Sequence, residues 1–140
     1  MSWARSAAAG AAAAAVWGLQ EPLDRAVFRS DYSDIAVLGK LVTRGPRWRA
    51  TGFALHAANG AVFGLAYEAT ARLTSRERRR LAVAMALAEH VALFPLALLV
   101  DRHHPARGEP GLPPLSRSTR AFLQAGWRHY LFGRLLGAWS

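Results

Sequence analysis

Apolar residues in this chain come in long blocks rather than in alternation, and each block approaches the length a helix needs to cross a bilayer. Two blocks form the centre, ATGFALHAANGAVFGLAY (50–67) and LAVAMALAEHVALFPLALLV (81–100). The connector between them crowds together Arg76, Arg78, Arg79 and Arg80, the charge signature of a cytoplasmic turn. The pattern predicts a transmembrane hairpin. An alanine-rich block (4–19) precedes it and AFLQAGWRHYLFGRLLGAW (121–139) follows it. The predicted fold is therefore all-α: a four-helix transmembrane bundle forming one integral membrane domain over 1–140, with spans near 4–19, 50–67, 81–100 and 121–139. Between the first two spans, DYSDIAVLGKLV sets Ile35, Leu38 and Val42 near one face, with Asp31 placed to cap it. That predicts a short amphipathic helix at the interface.

The outer two blocks each allow a second reading. The first has one positive charge followed by small residues, as in a signal peptide, but it lacks leucine, and small side chains suit a helix packed backbone to backbone. Trp3 and Trp17 would bracket that helix about 21 Å apart as interface anchors. The last block carries Gln124, Arg128, His129 and Arg134, so it either spans with those groups turned inward or lies at the interface.

Composition narrows the classes. With 52% hydrophobic and 19% charged residues, the chain is too apolar for disorder. A net charge of +9, from 18 basic against 9 acidic residues, raises nucleic acid as a partner. The arginines are spread over connectors with no basic, aromatic-interleaved face, which fits a lipid bilayer and not nucleic acid. Absence of cysteine excludes disulfides, thiolate metal sites and a cysteine nucleophile.

Polar groups inside the apolar blocks are the candidate chemistry, because lipid does not tolerate them unpaired. Gly52, His56, Gly60, Gly64 and Glu68 recur at intervals of four and make one stripe, with Gly60 and Gly64 forming a GxxxG pair. Asn59 lies beside His56 on that face. His56 and Asn59 either glue helices together or hold a substrate. In the third block Glu89 and His90 sit together one turn before Pro95, whose ring frees a backbone carbonyl. Glu89 needs a partner, and His56, Asn59, Arg128 and His129 are the candidates. A Glu–His pair in a dry setting serves either as a static bridge or as an acid–base pair. Asp31 and Asp34, spaced to share a helix face, could hold Mg²⁺ for a phosphate-bearing substrate, though a solvated helix start explains them equally. Asp101, His103 and His104 have ligand-type side chains, but adjacent histidines seldom aim at one ion, and no metal site is assigned.

Several segments carry a resemblance: Trp17-Gly-Leu-Gln20 with Pro22-Leu-Asp24-Arg25, Phe28-Arg-Ser-Asp-Tyr-Ser-Asp34, His56-Ala-Ala-Asn-Gly60 with Phe63-Gly64, Glu89-His90, and Trp127-Arg-His129 with Phe132-Gly133. They resemble those of small, uncharacterised multi-pass bacterial membrane proteins, over most of the chain. The resemblance implies a location and no activity. A faint internal echo accompanies it, Pro-Leu then Asp-Arg after the first and third blocks and a histidine then Phe-Gly in the second and fourth, as in a duplicated helix pair. An even number of spans puts both termini on the cytoplasmic side with the arginine-rich turn, and the two long polar loops together on the opposite face.

Two classes of function follow. In the first, which the packing stripes favour, a non-enzymatic bundle in the cytoplasmic membrane binds a lipid, a pigment or a membrane protein partner. In the second, a membrane-embedded enzyme acts on a lipid or isoprenoid, with Glu89 and His56 or His90 as acid–base pair. Asn59, Asp31, Asp34, Arg29, Lys40, Arg128 and His129 would then hold the substrate. A histidine-ligated haem, using His56 with His90 or His129, is a further alternative. The sequence itself specifies no cofactor.

Overall fold

Alanine loses no side-chain entropy in a helix and lets a neighbouring backbone approach. The alanine run becomes the first half of α1 (Trp3–Phe28) in a computed structural model that describes residues 2–140. All regular structure among the described residues is helical. Ser2 caps α1 by accepting from the Arg5 amide, and the helix ends where Arg29 turns left-handed at φ 50°. It thus continues from Leu19 through a segment expected to be loop. The reason is that Glu21 and Asp24 extend its buried face, at 4% and 3% exposure, rather than meeting solvent.

The next element, α2 (Asp34–Val42), is capped by Ser33 Oγ on the Ala36 amide, so Asp31 lies outside the helix and does not cap it. Its buried residues are Ile35, Ala36, Gly39 and Lys40, while Val42, expected inward, is exposed. The remaining elements are α3 (Trp48–Arg72), α4 (Arg78–Leu93), a 3₁₀ turn (Phe94–Leu96), α5 (Ala97–His103) and α6 (Thr119–Trp139). α4, the turn at Pro95 and α5 make one rod.

Glycine decides how closely these helices meet. α1 runs antiparallel to α3 with Gly10 opposite Gly60 and Ser6 opposite Gly64, and a Cβ at Gly10 or Gly64 would strike the facing carbonyl. α2 crosses α3 the same way, Gly39 against the Trp48 carbonyl and Gly52 against that of Ile35. α6 lies on α4 with Gly133 against Val83 and Gly137 against Arg79. The stripe read at intervals of four is therefore buried along its whole length, Gly52 to Glu68. The echo has a counterpart too: Gly64 and Gly133 each abut the first helix of their pair, and the rings of Phe63 and Phe132 meet at 5.1 Å.

α1 also packs on α6, from Arg5 Nε donating to the Trp139 carbonyl to Trp17 against Phe132. By contrast α3 and α4, neighbours in sequence, barely touch beyond their connector, where Tyr67 Oη donates to the Arg78 carbonyl at 3.3 Å. Ser140 Oγ donates to Tyr67 Oη, so the C-terminus, the start of α1 and the arginine-rich turn share one end. At the other end the two polar loops pack together as expected. Lys40 Nζ donates to Glu109 and to the Pro110 carbonyl, and the Gly111 amide donates to Asp31 at 2.7 Å.

Among the described residues one helix, Arg78–His103, is long and apolar enough to cross a membrane, and little of it is buried. α1, α3 and α6 match the other expected spans in position but fall short of that apolarity. Their small and inward polar residues lower it.

Candidate functional site

Two buried polar groups meet on either side of Trp17. The first is centred on Arg128, which is fully buried. Its guanidinium grips Asp24 through two bonds of 2.6 Å and donates to Asp34 at 2.8 Å and to the Tyr32 carbonyl at 2.9 Å, with the Tyr32 ring 5.0 Å away. Gln124 adds a 2.7 Å bond to Asp24, and the Trp17 indole donates to Asp34 at 3.0 Å. Glu21 caps α2 from outside: its carboxylate accepts from Ser33 Oγ at 2.5 Å and from the Asp34 amide at 2.8 Å. Burial, then the charge of Asp34, push the Glu21 carboxyl up to about 7, against the opposing pull of Arg128. For Asp34 burial is again the largest single influence and acts upward, but the charges of Arg128 and His56 and the hydrogen bonds from Tyr32 and Arg128 together outweigh it and the pKa is lowered. Three carboxylates thus share one guanidinium, and each has further donors.

The second group floors a cleft beneath α2, bounded by the α4–α5 rod and α6, with α3 bordering its smaller part. Two adjoining cavities, of about 180 Å³ and about 340 Å³, share Asp34, Val37, Leu38, Leu93 and His129 as lining. Trp17, His56, Asn59, Glu89 and Phe132 line the smaller; His90, Phe94 and Val100 line the larger. Gly60 and Ala14 leave the space that the smaller cavity occupies. The walls are largely apolar and the polar groups are contiguous. His56 and His129 stand edge-on to the Trp17 ring, at 4.9 and 4.7 Å between centroids, and His129 lies 5.1 Å from His90.

Hydrogen bonding in this second group is incomplete. His129 Nδ1 is 2.8 Å from the Ala125 carbonyl, so that nitrogen carries the proton, and Nε2 faces Glu89 at 3.7 Å. Nε2 of His56 and Nε2 of His90, in side chains only 6% and 4% exposed, have no hydrogen-bond partner among the described residues. Buried polar atoms in native folds are nearly always paired, so each orphan calls for an explanation.

The cleft gathers Glu89, His56, His90, Asn59, Asp34 and His129 from four helices. Arg128 stands behind Asp34 and is wholly engaged. Of the expected partners of Glu89, His129 approaches it, with Nε2 3.7 Å from the carboxylate, too far for a hydrogen bond. Three other expected residues lie elsewhere. Asp31 is tied to Arg25 and Gly111, so the Asp31/Asp34 pair does not form a shared face, because α2 starts after Asp31. Lys40 is held by Glu109 and lies 5.1 Å from the Trp48 ring, and Arg29 is exposed at the end of α1. In the long polar loop, both nitrogens of His104 are occupied, by the Val37 carbonyl and the Ala106 amide. No group of three or more His, Cys, Asp or Glu suited to a metal ion occurs among the described residues.

Sequence reasoning missed Trp17, Glu21, Asp24 and Tyr32 as members of the buried network. A signal existed for three of them: Trp17, Glu21 and Asp24 continue the spacing of Ala13 and Ala14 along one helix face. Glu68 was read only as the end of the stripe. It is buried and accepts from Ser6 Oγ and Arg72 Nε at 3.0 Å each, and from Arg78. Burial opposes ionisation there, but these bonds outweigh it and bring the carboxyl to about 2. No protein-family model, curated protein or solved structure matches the chain.

Proposed function

We propose that the chain is a multi-pass protein of the cytoplasmic membrane, and that the cleft beneath α2 binds a lipid-like molecule without turning it over. In this reading α1, α3, the α4–α5 rod and α6 form a four-helix transmembrane bundle, and α2 lies with the polar loops at one face. Kinship with the small multi-pass bacterial membrane proteins that its segments resemble belongs to the same reading. Support comes from the apolar exterior. Val62 and Val91 are each 64% exposed, and Leu19, Leu23 and Leu99 are exposed likewise, a surface that water disfavours and lipid accepts. The arginines near the α3–α4 connector share an end with both termini, which favours placing that end in the cytoplasm.

The observation that carries the binding role is the cleft: largely apolar walls, and two lining histidines, His56 and His90, whose Nε2 atoms lack partners among the described residues. The test is to wash membranes with alkaline carbonate and take a native mass spectrum of the detergent extract. Retention with a bound mass of lipid size is the expected result. A protein released by carbonate overturns the membrane reading, and a retained protein with no adduct overturns the binding role.

A second reading has one observation in its favour, the approach of Glu89 to His129 inside the cleft. There Glu89 and a histidine would exchange protons with a bound lipid or isoprenoid. Glu89→Gln separates the two: a binding protein carries a molecule of the same mass, if more weakly, whereas an enzyme accumulates unconverted substrate of a different mass.

A further inference from the structure

The polar floor of the cleft also specifies what kind of head group it accepts. Among the described residues neither cavity is lined by lysine or arginine. The nearest buried cations are already committed, Arg128 to Asp24 and Asp34, and Lys40 to Glu109. Two carboxylates do line the cleft, Glu89 and Asp34. A phosphate or carboxylate head group would therefore meet negative charge with no cation to receive it, a costly arrangement in an apolar setting.

Hydrogen-bond demand points the other way. His129, Glu89 and His56 line the smaller cavity together: Nε2 of His129 and the carboxylate of Glu89 are acceptors, and the buried Nε2 of His56, like that of His90 in the larger cavity, has no partner among the described residues. A hydroxyl group both donates and accepts, so one such group satisfies an acceptor and an imidazole together. A pure hydrocarbon satisfies neither, and leaves buried polar atoms unpaired. The rest of the lining, Leu38, Leu93, Phe63, Phe132 and Val100, suits an unbranched or isoprenoid tail.

We propose that the cleft takes a neutral, hydroxyl-bearing isoprenoid or long-chain lipid, its hydroxyl on the patch formed by His56, His129 and Glu89. This deepens the lipid-binding reading and rests on it. It assigns the head group to the histidines and not to Asp31, Arg29 or Lys40, which lie outside the cleft.

The test presents the detergent-solubilised protein with farnesol, farnesyl diphosphate and the saturated hydrocarbon farnesane in equal amounts, and reads the adducts by native mass spectrometry. The expected result is a farnesol adduct, with the hydrocarbon bound about tenfold or more weakly. His56→Phe should bring farnesol down toward the hydrocarbon. Equal or stronger binding of the diphosphate overturns the head-group inference while leaving a lipid site in place. Failure of all three to bind, in protein that carries no lipid adduct of its own, overturns the lipid-binding reading itself. Farnesol selectivity that His56→Phe leaves unchanged in a folded variant overturns the placement of the hydroxyl.

Discussion

Trp17 separates two buried polar groups that a composition count would treat alike. On its indole nitrogen side, Arg128, Asp24, Asp34 and Glu21 are paired through short bonds. Against its ring, His56, His129 and, one ring further, His90 line the two adjoining cavities with Glu89 and leave two nitrogens unpaired. The first group joins α1, the loop before α2 and α6, and fixes their register. The second lines a cleft and forms no comparable network of hydrogen bonds between its helices. A completed network holds a fold together, whereas an incomplete one in an apolar cleft leaves groups that a bound molecule would complete on the reading proposed above.

If that contrast is right, mutations in the two groups should act with opposite sign. The largest effect belongs to Arg128→Ala, which strands three carboxylates in the interior and should cost about 3–5 kcal/mol. Loss of a cooperative thermal transition in detergent is the expected result. Gly60→Leu, which drives a side chain into the Gly10 carbonyl and Ala14 Cβ, should cost about 1–3 kcal/mol or more by the same measurement.

Glu21 adds a pH dependence to the first group. Its carboxyl titrates near 7 in the fold against an ordinary 4.5, so its stabilising contribution is complete below 4.5 and is lost as pH rises through 7. The loss is on the order of 3 kcal/mol. Melting temperature should fall between about pH 5 and pH 8, and Glu21→Gln should flatten that fall. Glu68 behaves oppositely: with its carboxyl at about 2, its contribution is present above 4.5 and disappears as pH drops toward 2. The smallest stability effect is that of His56→Leu, which removes an unpaired buried nitrogen. Unfolding should be unchanged or harder by up to about 1 kcal/mol, while ligand adducts weaken. A destabilisation as large as that of Arg128→Ala would erase the distinction between the groups.

Much of the helical frame was readable from sequence because its physics is local. Apolar blocks of spanning length set α3, the α4–α5 rod and α6, and the spacing of four from Gly52 to Glu68 located the face that α1 and α2 cover. Glu89, His56, His90, His129 and Asn59 were identifiable as candidates because each interrupts an apolar block, and they share the cleft. What sequence hid depends on tertiary partners. Glu21 and Asp24 looked like loop acids, since nothing local announces that an arginine about a hundred residues away in the chain will bury them. Asp31 and Asp34 looked equivalent at a three-residue spacing. Ser33 takes the cap of α2, and that sends Asp34 inward to Arg128 and Asp31 outward to Gly111.

The cleft as a ligand site is most directly tested by native mass spectra of the wild-type protein and Leu93→Trp, extracted side by side from the same membranes. Leu93 lines both cavities and is half exposed at their edge, so the indole fills the space without disturbing the Arg128 network. A lipid-sized adduct on the wild-type protein that disappears from an equally stable Leu93→Trp is the result predicted. An adduct of the same mass and occupancy on both proteins would contradict it, because the bound molecule would then lie outside the cleft.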